Sequence, residues 1–253
     1  LNCTYLDPEH DVDLAPLVLG SQSQGLTVVE LAGAYSIFND GKFTTPHYWT
    51  EIYDSDGNLY LDNSKRVTTV QAIDPAAATI MNRLLSNVWK TPGTANGMKP
   101  ETEGIDTIGK TGTTSDFKDY TFAGVSPYYS TAVWWGYDAP YDMTKTLTKQ
   151  QAKTSTCVMA WKALMEQAQA DLPYKAFPAS SGVVERRYCT QSGLLAGSSC
   201  PSTAVGYYRA DDLPDTCTYS HGASTQAADP AAPAEEAPQQ TVIPTDTSNL
   251  DTD

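Results

Sequence analysis

The chain has 253 residues, enough for one full domain with appendages and a sizeable core. Its 30 acidic and 16 basic residues give a formal net charge of −14, which argues against nucleic acid or an anionic membrane surface as the partner. No apolar run reaches the roughly 18 residues of a membrane-spanning helix, and no signal peptide is recognisable. Because the sequence opens on Leu1 rather than Met, the simplest interpretation is a fragment of a longer protein.

The first helix is predicted after an irregular lead-in over residues 1–20. Thr27 and Glu30 form a capping-box pattern, with a hydroxyl at the N-cap and a carboxylate three residues later. Apolar residues then recur along one face of the segment 28–38, before an Asn-Asp-Gly stop. These signals predict a helix that packs into the core.

A hairpin and a second helix are predicted next. Residues 49–62 alternate between apolar and polar around Asp56-Gly57, the pattern of a two-stranded turn. Asp74 and Pro75 are favoured at the N-cap and first position of a helix, and the apolar stripe that follows continues for more than two turns.

Three strands and a helix are predicted in the middle of the chain. The strands cover about 107–113, 120–125 and 131–137, and the short loops between them favour an antiparallel meander. The third strand is a nearly continuous apolar run, which suits a central, buried position. A helix over 150–170 would cover one face, so the fold class predicted is α+β.

The chain divides by composition into three parts. We place a boundary near residue 178, where helical periodicity is lost and Ser, Gly, Pro and Cys increase, so that 1–178 is the main domain and 179–222 a cysteine-containing, loop-rich extension. The tail, 223–253, has six acidic residues, four prolines and no Lys or Arg. Such a segment buries too little apolar surface to offset its ordering entropy, so we predict that it is disordered.

The histidines and cysteines do not form a recognisable catalytic or metal-binding motif. Cys157 has helical spacing with apolar neighbours, so we interpret it as a buried thiol. Cys189, Cys200 and Cys217 fall in the extension, and His221 would complete a Cys3-His zinc set. Structural zinc sites usually bring ligands as C-x2–4-C pairs, which are absent, so zinc is the less favoured interpretation. The three histidines show no spacing typical of a Ser-His-Asp triad.

The six residues 109–114 combine a cation, hydroxyls and two glycines on a predicted strand. Lys110 supplies a positive charge, Thr111 and Thr113 supply donors on one face, and Gly112 lacks the Cβ that would block a ligand. This combination suits a bound carboxylate. Thr111 and Thr113 point to one face of the strand, and Lys110, an odd number of residues from each, points to the other. We therefore expect both threonines to face a groove and Lys110 to lie near the sheet edge.

The sequence GKTGTTSDFKDYTFAGVSPYYSTAVWWGYD, residues 109–138, closely resembles the C-terminal part of the transpeptidase domain of class A penicillin-binding proteins. In that family a K-T-G-T-T strand precedes a Lys-Asp loop, a strand ending Gly-x-x-Pro and a strand ending Trp-x-Gly-Tyr-Asp. Two further blocks, LGSQSQGLTVVELAGAYSIFNDG from residue 19 and the cysteine-containing stretch 189–221, extend the resemblance over about 15–222. It implies a partial domain that lacks its N-terminal half.

The resemblance implies which residues act on the substrate. Lys110, Thr111, Gly112 and Thr113 would bind the terminal carboxylate of a D-Ala-D-Ala stem peptide or a β-lactam, and the Thr113 N–H would form half of an oxyanion hole. Lys110 and Thr113 are thus the candidate catalytic residues, with no cofactor or metal implied. The expected function is a peptidoglycan D,D-transpeptidase that cross-links stem peptides through an acyl-serine intermediate.

The nucleophile is not recognisable in this chain. The one S-x-x-K runs from Ser115 to Lys118 in a polar turn without helical pattern, which we interpret as coincidence, and S-x-N does not occur. In the family both motifs precede the block that begins near Leu19, so we expect them upstream and this chain alone to be inactive. Same-fold D,D-carboxypeptidase or β-lactamase activity, or a non-catalytic cell-wall binding module, remain the alternatives.

The resemblance also implies a location and a redox state. The family usually carries a glycosyltransferase domain upstream and works on the outer face of the bacterial membrane, anchored by an upstream segment. Outside the cell a Cys189–Cys200 disulfide is expected. Ser192-Gly193 allows the chain to reverse between these cysteines, so we predict that the two residues are close in space.

Overall fold

The computed structural model describes residues 25–102 and 104–221, together with 4, 5, 7, 9–14, 20, 22 and 23. The described residues up to 220 form one compact unit. Over the described ranges, no helix has both the length and the apolar character needed to span a bilayer. The predicted lead-in is described only in part, and the predicted disordered tail, 223–253, lies outside the described residues. The division at 178 stays a prediction.

The predicted helices and strands occur in the predicted order among the described residues, together with four strands that were not predicted. The helices are α1 (Val28–Tyr35), α2 (Pro75–Leu85) and α3 (Ser155–Ala168), with short 3-10 turns at Ser36–Phe38, Ser86–Trp89 and Met143–Lys145. The strands are β1 (Lys42–Thr44), β2 (Glu51–Tyr53), β3 (Leu59–Asp62), β4 (Thr69–Gln71), β5 (Ile108–Thr113), β6 (Asp119–Val125), β7 (Ser130–Gly136), β8 (Val183–Cys189) and β9 (Thr203–Arg209).

An antiparallel sheet of order β5-β6-β7 is the centre of the fold, so the predicted meander is confirmed. The prediction that the third strand is central is wrong. Among the described residues β7 pairs only with β6, and its Trp134 and Trp135 side chains are 40% and 38% exposed. Both faces of β7 meet helices at its start: Ser130 Oγ donates to Ala32 O of α1, and Thr131 Oγ1 contacts Met165 Sδ of α3.

The core lies between β6, α3 and the turn that follows α2. The fully buried ring of Trp161 lies 5.1 Å from the ring of Phe122 and 5.8 Å from that of Trp89. Trp89 is fixed by a hydrogen bond from its Nε1 to Thr107 O at 2.8 Å. Gly124 faces this cluster, and a Cβ there would collide with the Trp161 ring. The prediction that α3 covers one face of the sheet is confirmed.

The capping box predicted for α1 is present. Thr27 Oγ1 accepts from the N–H of Glu30 at 3.1 Å, and the Glu30 carboxylate accepts from the N–H of Thr27 at 2.8 Å. The same carboxylate accepts from the hydroxyl and N–H of Thr4. The hydrogen bond from the Thr4 side chain, followed by those from the Thr27 backbone, the Thr4 backbone and the Thr27 hydroxyl, lowers the pKa of Glu30 to about 2.

This carboxylate should make the stability of the chain sensitive to acid. Because the pKa of Glu30 falls from 4.5 to about 2 on folding, its stabilisation is complete above pH 4.5 and is lost as the pH falls toward 2. We expect the difference in free energy of unfolding between the unmodified chain and Glu30→Gln, measured by urea unfolding, to decrease as the pH is lowered from 4.5 toward 2. Glu185→Gln, at an exposed position of β8, is the control. A gap that stays constant with pH would contradict the assignment.

The second helix and the first hairpin also form as predicted. α2 begins at Pro75, and the Asp74 carboxylate accepts from the N–H of Ala76 at 2.7 Å. β2 and β3 are antiparallel around a turn in which Gly57 has a φ of 81°. That left-handed backbone favours glycine.

The extension beyond residue 178 contains a hairpin that sequence reasoning missed. β8 and β9 pair over seven residues each, from Val183 opposite Arg209 to Cys189 opposite Thr203. The prediction of a loop-rich segment is therefore wrong for these strands. The hairpin packs on α2, since the Arg83 guanidinium lies 5.5 Å from the centroid of the Tyr207 ring.

Candidate active site

β5, which carries the K-T-G-T sequence, is an edge strand. Among the described residues it pairs only with β6, with Lys110 opposite Ala123 and Thr111 opposite Phe122. Just beyond the strand, the Thr114 N–H donates to Asp119 O. Backbone groups alternate in direction along an antiparallel strand, so the N–H and C=O groups of Thr111 and Thr113 are directed away from β6, toward the outer edge.

The ammonium group of Lys110 reaches this outer edge. Its side chain is exposed and starts from the face opposite Thr111, yet Nζ donates to Thr111 O at 2.9 Å. The side chain therefore curls around the strand, as expected from its predicted place near the sheet edge. A positive charge and the outward N–H of Thr113 thus lie along the same edge of β5.

The two threonines share a face but differ in exposure. Thr113 is exposed, and its hydroxyl lies 2.7 Å from the hydroxyl of Thr154, just before α3. Thr111 is only 9% exposed, and its hydroxyl lies 2.8 Å from that of Thr94. Thr94 is itself exposed, so the low exposure of Thr111 does not direct its hydroxyl into the core, and the expectation that both hydroxyls face a groove stays a prediction.

The glycines of the motif have a packing reason that the sequence did not indicate. Gly112 stands directly opposite Thr121, and a Cβ on Gly112 would collide with Thr121 Oγ1. A Cβ on Gly109 would collide with the Phe122 ring. The close approach predicted at Gly112 is therefore to the neighbouring strand, whatever ligand the strand also meets.

The only S-x-x-K in the sequence lies in a turn, as predicted. Thr114 Oγ1 accepts from the N–H groups of Lys118 and Asp119, both at 3.0 Å, and Phe117 has a φ of 52°. Lys118 forms an ion pair with Asp116 at 2.8 Å, and this hydrogen bond and charge raise the pKa of Lys118. Ser115 is exposed and outside any helix. Nothing in this turn resembles an activated serine.

A cleft lies elsewhere in the described part of the chain. It has a volume of about 800 Å³ and is bordered by α1, β1 and the turn between β6 and β7. Tyr128 and Tyr129 line it, whereas Lys110, Thr111 and Thr113 do not. The candidate site is thus an exposed strand edge rather than a formed pocket.

The K-T-G sequence that this edge strand carries is one of the three motifs of the penicillin-binding proteins and class A β-lactamases. The chain belongs to the penicillin binding protein transpeptidase domain family, whose profile matches residues 14–156, more than half of its 253 residues. It is similar to penicillin-binding protein 1A of Clostridium tetani, with 34% identity over 87% of this chain and 28% of that protein. Penicillin-binding protein 1A of Neisseria lactamica is 35% identical over 62% of this chain and 20% of its own length.

Solved structures agree with the fold. Penicillin-binding protein 1A from Haemophilus influenzae superposes with a TM-score of 0.63 at 22% identity, covering 80% of this chain and 34% of that one. PonA1 from Mycobacterium tuberculosis gives a TM-score of 0.53 at 26% identity, covering 62% and 42%. The predicted fold class is confirmed. The chain spans less than a third of the length of the curated relatives above.

Proposed function

We propose that the chain supplies the carboxylate clamp of a peptidoglycan D,D-transpeptidase. The observation that carries this proposal is the family match over 14–156, within which Lys110 and Thr113 lie on an exposed strand edge. In the reaction, a serine hydroxyl attacks the penultimate D-Ala carbonyl and the last D-Ala leaves. An amine of a neighbouring stem peptide then takes the acyl group from the serine.

Each residue of the edge has a distinct role in this reaction. The Lys110 ammonium attracts the terminal carboxylate of the stem peptide or of a β-lactam, and the Thr113 hydroxyl donates to it. The outward N–H of Thr113 meets the charge that develops on the carbonyl oxygen. The 2.7 Å contact between the Thr113 and Thr154 hydroxyls limits the rotation of the Thr113 side chain before substrate binds.

The nucleophile belongs, in this proposal, to a segment outside the sequence. The relatives are more than three times as long as the stretch matched here, and Ser115 lies in a turn. Among the described residues β7 is an outer strand that carries two partly exposed tryptophans, Trp134 and Trp135, and native proteins usually cover such strands. We therefore name the N-terminal part of the same protein as partner, together with an upstream membrane anchor and glycosyltransferase domain on the extracytoplasmic side.

Labelling with fluorescent penicillin tests the proposal. We expect no covalent adduct on the isolated 253-residue chain, because a serine hydroxyl without a base is a weak nucleophile at neutral pH. With the upstream part present, in one polypeptide or as a second chain, we expect an adduct that peptide mapping by mass spectrometry places outside this chain. Ser115→Ala should leave that labelling unchanged.

Three outcomes would contradict the proposal in different ways. An adduct on Ser115 of the isolated chain would overturn the external nucleophile. Rapid hydrolysis of the penicillin, or release of D-Ala without cross-linking, would identify a same-fold hydrolase. Failure of the assembled protein to label, while it still binds cell walls, would identify a non-catalytic wall-binding module.

A further inference from the structure

Three cysteine sulfurs converge beside the β8–β9 hairpin. Cys189 is the last residue of β8, Cys200 lies in the loop before β9, and Cys217 follows β9. Their Sγ atoms lie within 4.8 Å of one another. The prediction that Cys189 and Cys200 are close in space is therefore confirmed, and Cys217, which is distant in sequence, joins them.

We propose that Cys189, Cys200 and Cys217 bind one zinc ion as a structural site. Zinc–thiolate bonds of about 2.3 Å in a tetrahedron place the sulfurs about 3.8 Å apart, a spacing that the observed limit of 4.8 Å accommodates. Soft thiolate ligands select zinc over the hard cations Mg²⁺ and Ca²⁺. A closed tetrahedral site needs a fourth ligand, and His221, four residues after Cys217 in the sequence, is our candidate.

Backbone hydrogen bonds hold the three cysteines in place. The Cys189 N–H donates to Leu194 O at 2.8 Å, which closes the turn after β8. The Cys217 N–H donates to Leu195 O at 2.7 Å, and the Cys200 N–H donates to Gly197 O at 3.2 Å. The sulfurs are therefore positioned by main-chain contacts that involve no sulfur atom, as expected of a preorganised ligand set.

One backbone N–H also donates a hydrogen bond to a cysteine sulfur. The Gly197 N–H donates to Cys200 Sγ at 3.3 Å, and a Cβ on Gly197 would collide with Cys217 O. An N–H directed at a sulfur stabilises a thiolate, and such outer contacts orient metal ligands. The glycine thus allows the loop carrying Cys200 to lie against the segment carrying Cys217.

The burial pattern indicates that a metal would take the place of an apolar core in the segment 171–221. Within the described residues 171–221, Cys189 and Cys217 are the only buried residues, at 0% and 3% exposure. No residue of this stretch belongs to the apolar core cluster. Segments of about 40 residues without a core of their own usually need a disulfide or a metal, and the cysteine cluster occupies the place where that core would be.

A disulfide, expected from the sequence, is the competing interpretation. It would join two of the three sulfurs and give no role to the third, whereas one zinc ion uses all three. The two states also differ in composition: zinc adds one metal ion and displaces thiol protons, and a disulfide removes two hydrogen atoms without metal. Mass and metal content therefore separate them without any assay of peptidoglycan chemistry.

The test uses the full 253-residue chain produced in zinc-supplemented medium. We expect one zinc per chain by native mass spectrometry and elemental analysis. Cys189→Ser, Cys200→Ser and Cys217→Ser should each abolish stoichiometric zinc, and His221→Ala should weaken its retention against a chelator. Cys157→Ala, in the buried core away from this cluster, is the matched control and should keep its zinc.

A titration with Co²⁺ keeps the proposal testable if a variant fails to fold. In the unmodified chain stripped with a chelator under reducing conditions, added Co²⁺ should produce sulfur-to-metal charge-transfer absorption, which zinc should then displace. Absence of that absorption, or a metal-free chain with a Cys189–Cys200 disulfide, would overturn the proposal. Zinc retained by both Cys200→Ser and Cys217→Ser would overturn it as well.

Discussion

Replacing Lys110 with alanine is expected to slow acylation of the assembled transpeptidase by penicillin by about 10–10²-fold, the equivalent of the roughly 1.5–3 kcal/mol that a hydrogen bond to a charged group contributes. The Lys110 Nζ lies at the outer edge of β5, 2.9 Å from Thr111 O, on a side chain that is otherwise exposed. Its loss removes the cation proposed to hold the substrate carboxylate and leaves the strand unaltered. The rate constant is measured by quenched labelling with fluorescent penicillin.

Two matched variants show whether the labelling rate depends on the location of the Lys110 charge or only on the net charge of the chain. Lys118→Ala removes a lysine of the next turn that forms an ion pair with Asp116, and its labelling rate should not change. Thr113→Val removes a hydroxyl but keeps the outward N–H, so labelling should slow less than in Lys110→Ala. Equal losses in Lys110→Ala and Lys118→Ala would mean that net charge alone matters, and the clamp assignment would fail.

The sequence predicted those features whose causes are local. The capping box of Thr27 and Glu30, the Asp74 cap of α2 and the turn at Gly57 each depend on residues within four positions of one another, and all three are present. The three-strand meander was also predictable, because short loops leave few ways to join adjacent strands.

Features set by distant residues were not predictable. The hydroxyl of Thr111 contacts that of Thr94, 17 positions earlier, and no sequence pattern near Thr111 indicates that contact. The missed hairpin has three consecutive charged residues, Glu185 to Arg187, in the middle of β8, which obscure the alternation of a strand. The cysteine cluster forms only when that hairpin folds, so spacing alone gave zinc little support.

Trp161→Ala is expected to lower the free energy of unfolding of the chain by about 3–5 kcal/mol, as large aromatic truncations in cores do. The ring is 0% exposed and contacts the rings of Phe122 and Trp89, with centroids 5.1 and 5.8 Å away. These contacts join α3 to the central sheet, so a cavity here loosens the support behind β5. The measurement is urea unfolding followed by far-ultraviolet circular dichroism.

Two further variants show whether this cost comes from packing. Leu164→Ala, on the same helix at 48% exposure, should cost far less. Trp161→Phe keeps an aromatic ring and removes an Nε1–H that is buried without a hydrogen-bond partner among the described residues, so it should retain most of the stability. A loss in Trp161→Ala no larger than in Leu164→Ala would show that the Trp161 ring does not hold the helix to the sheet.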